Sequence, residues 1–297
     1  MKKETGEEIT GLAQGMMSKV ISFPWSGDIL VDTCGTGGDG LGTFNISTVC
    51  AFVVAGAGVR VAKHGNRALS SQCGSADVLE EMGMKINLAP PLVKKALEEI
   101  GIAFLFAPLF HRAMKYALAP RQEMGIRTVF NLLGPLTNPL QANVRLMGVY
   151  DPSLTQTVAQ AMAHLGVKRA FVVQGEDGLD EVTITGRTKV AELREGEVET
   201  YWITPEELGL RRYSLREIQG GKREKNARIV REILRGKERG AAREIVLLNA
   251  AFCLMGAGIA PDLKRGVKLA AESTDSGKAL EKLNQLIDFS HSFSLNS

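Results

Sequence analysis

The stretch Ile29-Leu30-Val31-Asp32-Thr33-Cys34-Gly35-Thr36-Gly37-Gly38-Asp39-Gly40-Leu41-Gly42-Thr43-Phe44-Asn45-Ile46-Ser47-Thr48 decides the fold class. Ile29 to Asp32 reads as a short apolar strand, Cys34 to Gly42 as a glycine-rich loop, and a helix opens near Asn45 to Ser47. Strand, loop and helix in that order begin a parallel βαβ unit. Without a Cβ, the glycines of Gly35 to Asp39 let backbone N–H groups approach phosphate oxygens, and a helix N-terminus adds a favourable dipole. A glycine turn after a strand is common and says little alone. Asn45, Ser47 and Thr48 add more: three amide or hydroxyl side chains crowd a helix start, where a cap needs one, so the others are free for a phosphate or a hard cation.

Working outward, Val59 to Ala62 reads as a second strand and Lys63 to Ser75 as a polar loop, followed by a helix over Ala76 to Met82. Helices are predicted over Pro91 to Ile100, His111 to Ala117 and Ser153 to Leu165, with strands over Ala103 to Phe106, Val144 to Tyr150 and Ala170 to Val173. This alternation predicts an α/β fold, a mainly parallel central sheet flanked by helices, which carries its site at the C-terminal ends of the strands. Both polar loops lie at such ends. Glu181 to Ile203 shows hairpin alternation, and from Glu224 onward the pattern is helical, with an apolar helix over Arg239 to Met255 at the centre of the C-terminal packing. Near the start, Thr5 to Val20 reads as an amphipathic helix in need of a partner.

Bulk composition sets limits. With 297 residues, 44% hydrophobic and 23% charged, the chain is an enzyme-sized globular protein. The formal net charge of +3 is too small to mark a nucleic-acid binder, although Arg211 to Arg239 holds eleven Lys or Arg against four Glu. Cys34, Cys50, Cys73 and Cys253 form no C-x-x-C pair, so neither zinc nor a disulfide framework is suggested. No signal peptide and no membrane-length apolar run are seen, and the expected location is cytoplasmic.

Two further groups bear on chemistry. Lys63-His64-Gly65-Asn66-Arg67 brings two cations, an imidazole and an amide together beyond the second strand, with Ser70-Ser71 and Gly74-Ser75-Ala76-Asp77 following as a second binding loop and a capped helix start. Asp180-Glu181, after Gly175-Glu176-Asp177-Gly178, is a pair of hard oxygen ligands suited to magnesium carrying phosphates, although its composition alone is that of a surface turn.

In order along the chain, Gly35 to Asp39, Asn45 to Thr48, Lys63 to Arg67 with Ser70 to Leu79, Asn131-Leu132-Leu133-Gly134-Pro135-Leu136-Thr137-Asn138-Pro139, and Asp180-Glu181 resemble the successive signatures of the anthranilate phosphoribosyltransferases. The resemblance spans nearly the whole chain. It implies a nucleoside phosphorylase-like phosphoribosyltransferase fold, and transfer of the phosphoribosyl group of phosphoribosyl pyrophosphate to the anthranilate amine in tryptophan biosynthesis. It also implies Gly35, Thr36, Gly37, Gly38, Asp39, Asn45, Ser47, Thr48 and Lys63 around the phosphates and ribose, with Thr43, Gly65 and Ser71 also binding substrate. His64, Asn66 and Arg121 fall to anthranilate, Ser47, Asp180 and Glu181 to Mg2+, and Lys63, His64 and Arg121 to catalysis. A guanidinium at Arg121 suits a substrate carboxylate through paired hydrogen bonds.

The same resemblance implies a small helical domain, of which residues 1–22 are a remnant, beside a large domain over 23–297, with part of 90–130 packing against the small one. Met1 resembles a position after the family's first helices, which leaves the Thr5 to Val20 helix short of partners and the family's homodimer in doubt. Pyrimidine nucleoside phosphorylases resemble this fold too, but a nucleoside needs no acidic pair. No nucleic-acid or membrane partner is expected.

Overall fold

The structure is a computed structural model that describes residues 4–293 apart from 28, 69–70, 115, 118–122 and 124–127. Five parallel strands, β1 (Val31–Gly35), β2 (Val61–Gly65), β3 (Ile102–Phe106), β4 (Val144–Gly148) and β5 (Arg169–Gly175), continue into an antiparallel hairpin, β6 (Thr188–Arg194) and β7 (Glu197–Ile203). The order is β3-β2-β1-β4-β5-β6-β7. The chain thus winds outward from β1 in one direction to β3 and then reverses to β4. The crevice beyond the C-terminal ends of β1 and β4, where the winding reverses, is the place at which such sheets bind ligands.

Helices cover both faces. α1 (Gly6–Met17) precedes the sheet and is followed by α2 (Ile46–Gly56), α3 (Ser75–Glu81), α4 (Pro90–Glu99), the short α5 (Ala107–Phe110) and α6 (Phe130–Leu136). After them come α7 (Leu154–His164), α8 (Arg223–Leu234), α9 (Ala241–Gly256), α10 (Leu263–Asp275) and α11 (Lys278–Ser292). Strand side chains alternate between the faces: Val144, Leu146, Phe171 and Val173 join α2 and α9 in one hydrophobic cluster, and Met147, Ala170 and Val172 join α6 and α7 in another. The apolar run of α9 is fully interior. Ile245, Val246, Leu247, Leu248 and Phe252 are each at most 2% exposed, and each such side chain stabilises the fold by roughly 1.5–3 kcal/mol.

The structure corrects four expectations. β1 starts later than Ile29 and runs on to Gly35, and β2 runs on to Gly65, so Lys63 and His64 are strand residues rather than loop residues. The hairpin begins at Thr188, and Glu181 to Gly186 is irregular chain. Within the helix expected from His111 to Ala117, Arg112–Met114 forms a 3-10 turn. α1, expected to lack partners, buries Ile9 and Ala13 against Leu132, Leu136, Val158 and Met162, and a Thr5–Glu8 capping box fixes its start. The basic stretch is partly committed within the fold: Arg212 pairs with Glu206, Arg239 with Asp275, and Arg231 donates to the Met82 carbonyl.

Candidate active site

Successive residues of a strand point to opposite faces, and at the tip of β2 this separates two chemistries. Lys63, 4% exposed, points toward α2, and its ammonium donates to the Thr33 carbonyl (2.6 Å) and the Ser47 hydroxyl (3.2 Å). His64, 5% exposed, points to the other face, where its Nδ1 lies 3.1 Å from the Gly134 carbonyl and its ring centroid 4.9 Å from that of His111. A carbonyl only accepts, so Nδ1 carries the proton and Nε2 presents a lone pair, which has no partner among the described residues. Burial lowers the pKa of His64 to about 3, and burial followed by the charge of His64 does the same for His111. Both rings are neutral at physiological pH.

The acidic pair lies on Lys63's side. Asp180 Oδ2 accepts from the Gly37 N–H (2.6 Å), and Glu181 Oε1 accepts from the Ser47 N–H (3.2 Å) at the first turn of α2. Close approach requires glycine beneath it: a Cβ at Gly148 would lie 1.6 Å from the Asp180 carbonyl oxygen, and one at Gly35 2.3 Å from Asp180 Oδ2. Those two glycines end β4 and β1 in register, so the pair closes over the crevice. Burial, then the charges of Asp39 and Glu181, hold the Asp180 carboxyl well above the usual carboxylate range. Burial pushes Glu181 up to about 8, Cys50 and Asp39 adding to the rise and Lys63 opposing it. This is carboxylate oxygen short of counter-charge, the condition a divalent cation relieves.

The loop bearing the pair is rigidly tied. Asp177 accepts from the Thr183 hydroxyl (2.7 Å), the Thr185 hydroxyl and the Leu179 N–H (3.1 Å). Asn249, buried on α9, accepts from the Val182 N–H (3.0 Å) and donates to the Val182 carbonyl (2.9 Å).

Residues 27–280 match the model of the glycosyl transferase family, a/b domain. The chain is 56% identical over 287 residues to the anthranilate phosphoribosyltransferase of Moorella thermoacetica, covering 97% of this chain and 84% of that one. With the enzyme of Desulfosudis oleivorans it shares 55% over 291 residues, 98% of this chain and 86% of the other. The chain belongs to the anthranilate phosphoribosyltransferase family. A solved anthranilate phosphoribosyltransferase from Thermus thermophilus superposes with a TM-score of 0.92 at 43% identity, covering 97% of this chain and 86% of that one. The Saccharomyces cerevisiae enzyme, solved in complex with PRPP and Mg, superposes with a TM-score of 0.88 at 32% identity, covering 96% and 80%.

Gly35, Thr36, Gly37, Gly38, Asp39, Ser47, Lys63, Asp180 and Glu181 converge at the crevice, with Thr43 and Asn45 on the loop's exit. The Thr36 and Thr48 hydroxyls are buried without a protein partner among the described residues, a deficit that the fold itself does not explain. Gly65 ends β2, where a Cβ would meet the Ser75 hydroxyl at 2.2 Å, while Asn66 and Ser71 are exposed on the loop beyond. Arg67 does not converge with Lys63: its guanidinium is held by Glu80 (2.7 Å) and Asp77 (3.2 Å). Arg121 lies outside the described residues.

Several residues that build this site carry no functional signal in the sequence. Buried Asp32 accepts from the His64 N–H (3.1 Å) and from Asn138 Nδ2 (2.8 Å), which also donates to the Ala62 carbonyl (2.9 Å), so Asn138 locks β1 to β2 beneath the two pockets. His111 supplies the second imidazole, and only its place in the apolar run Leu109-Phe110-His111 could have drawn notice. Asn249 carries no sequence signal beyond being polar inside an apolar helix.

Proposed function

We propose that this chain transfers the phosphoribosyl group of phosphoribosyl pyrophosphate to the amine of anthranilate, releasing pyrophosphate, in tryptophan biosynthesis. The observation that carries the reading is the split at the tip of β2: a cation and two carboxylates on one face, two neutral imidazoles on the other. One side suits a magnesium pyrophosphate and the other a planar apolar amine.

Ser47, Asp180 and Glu181 would hold the magnesium. The described residues contain no cluster of three His, Cys, Asp or Glu able to enclose a metal. That fits an ion which binds through one or two carboxylates and completes its shell with water and phosphate oxygens. When bound, it supplies Lewis-acid charge to the departing pyrophosphate. The remaining work belongs to the protein. Lys63 and the N–H groups of the Gly35 to Asp39 loop neutralise charge growing on the leaving group. Bare Nε2 of His64 accepts a hydrogen bond from the amine and turns the amine's lone pair toward C1 of the ribose; the C1–pyrophosphate bond breaks as the C–N bond forms, and the proton then lost from the nitrogen passes to Nε2. Holding two substrates in that orientation is worth roughly 7–11 kcal/mol of the barrier. Arg121 takes the anthranilate carboxylate. The reading includes a cytoplasmic location and no nucleic-acid partner. In its support, all four cysteines are buried and unpaired, as in a reducing compartment, and no helix among the described residues is long and apolar enough to cross a membrane.

Loss of anthranilate fluorescence in the presence of phosphoribosyl pyrophosphate and magnesium tests the proposal. Loss that stops with chelator, and that is absent in an Asp180→Asn, Glu181→Gln variant, supports it. Folded protein that consumes no anthranilate under these conditions overturns it.

A further inference from the structure

The glycine loop is held at its exit by a segment from a distant part of the chain. Gly37, Gly38, Gly40 and Gly42 all have positive φ (65°, 77°, 76° and 65°), so the loop has little conformational preference of its own against moving. Residues 218–220 lie alongside 41–44 as a short strap. The Gly220 N–H donates to the Gly42 carbonyl (2.9 Å), Gln219 Nε2 to the Leu41 carbonyl (2.9 Å), and Thr43 bridges Gln219. Contact is so close that a Cβ at Gly220 would lie 2.7 Å from both the Thr43 carbonyl oxygen and the Phe44 nitrogen.

The strap ends in Asn226, on the first turn of α8 and 1% exposed. Its Oδ1 accepts from the Gly221 N–H (2.8 Å), its Nδ2 donates to Asn45 Oδ1 (2.9 Å), and Asn45 Nδ2 donates to the Cys73 carbonyl (3.0 Å). Each amide is fixed in one orientation, because a flip of either would set donor against donor. Asn45 precedes α2 but does not cap it with its side chain. Its amide is turned sideways by Asn226, and one N–H and one lone pair remain for another partner.

We infer that Asn226 is a positioning residue for phosphoribosyl pyrophosphate, acting through Asn45. This rests on the proposed function, in which the Gly35 to Thr48 segment holds that substrate. The amide chain fixes the loop's exit and the side chain of Asn45 in a binding-ready arrangement, so its cost of ordering is met in folding rather than in binding.

The test is calorimetric titration of the full chain with phosphoribosyl pyrophosphate and magnesium, alongside kcat and KM for both substrates. Asn226→Ala removes the chain, and Asn226→Asp keeps its shape but sets a carboxylate oxygen against Asn45 Oδ1. Each is expected to weaken phosphoribosyl pyrophosphate binding and raise its KM about tenfold, the factor that about 1.4 kcal/mol represents, with the anthranilate KM unchanged. Lys225→Ala removes a different bond of the strap, from the ammonium to the Gly220 carbonyl (2.8 Å), and is expected to leave binding unchanged. The inference fails if either folded Asn226 variant binds as the parent does. It fails equally if both KM values rise together, or if Lys225→Ala reproduces the loss, since each result makes the role one of general packing. A parent chain that does not bind phosphoribosyl pyrophosphate with magnesium overturns the proposed function and this inference with it; a parent that binds, with variants that bind equally, overturns the inference alone.

Discussion

The cluster on Lys63's face of β2 and the cluster on His64's face share one strand and differ in charge. In the first, each carboxyl already accepts a backbone N–H and the ammonium is held by two oxygens, yet the acids outnumber the one base and burial raises both carboxyls above their usual range. In the second, two imidazoles face each other uncharged and His64 Nε2 is unsatisfied. The difference teaches where each pocket's binding strength comes from: the first needs added positive charge, the second needs a donor of hydrogen bonds on an apolar body.

The sharpest way to break the comparison is to remove the charge. In the Asp180→Asn, Glu181→Gln variant kcat is expected to fall about a thousandfold, on the scale of losing preorganised transition-state electrostatics, with anthranilate affinity kept. Loss of anthranilate binding in a folded variant would show the pockets to be one. Next in size is Gly148→Ala. The added methyl meets the Asp180 carbonyl, and a stability loss of about 1–3 kcal/mol in denaturant titration is expected, together with a weakened magnesium response. His64→Leu is expected to raise the anthranilate KM about tenfold while that for phosphoribosyl pyrophosphate stays constant. Because His64 titrates near 3, the parent's rate should show no inflection from this group between about pH 5 and 8.

Stability without metal changes with pH as well, and the two clusters oppose each other there. Glu181 holds its proton up to about pH 8 when folded, against an ordinary 4.5, so the stability it contributes is full below 4.5 and lost as pH rises through 8, and the raised Asp180 acts in the same sense. His64 and His111 stay neutral down to about 3, against 6.5, so their contribution is present above 6.5 and lost as pH falls toward 3. Thermal melts of metal-free protein should therefore decline from pH 6.5 to 8 in the parent and stay flatter in Glu181→Gln, and His64→Asn should soften the acid decline.

Much of this was legible in the sequence. The alternation of apolar runs with helical spacing revealed the parallel sheet, and the glycine loop, the Asn45 to Thr48 cluster and the Asp180-Glu181 pair fall together as expected. The strand ends were not legible. By local pattern β2 stops at Ala62 because a lysine follows, and that pattern cannot know that the Thr33 carbonyl and the Ser47 hydroxyl await its ammonium inside the fold. Asp180 and Glu181 had the composition of a surface turn and are buried instead, through contacts with Gly35, Gly148 and Asn249 that lie far away in the chain. Asn138 and Asn226 make bonds across separations of 106 and 181 residues, beyond any local pattern.

The register of β2 also bears on how this chain tolerates change over generations. A substitution near Lys63 alters one pocket and leaves the other in place. A single-residue insertion or deletion between Val59 and Ala62 would turn every following side chain of the strand over, presenting the imidazole to the carboxylates and the ammonium to His111. Length variation among descendants is thus barred from the few residues before Lys63, whatever their identity, and is left to the loops.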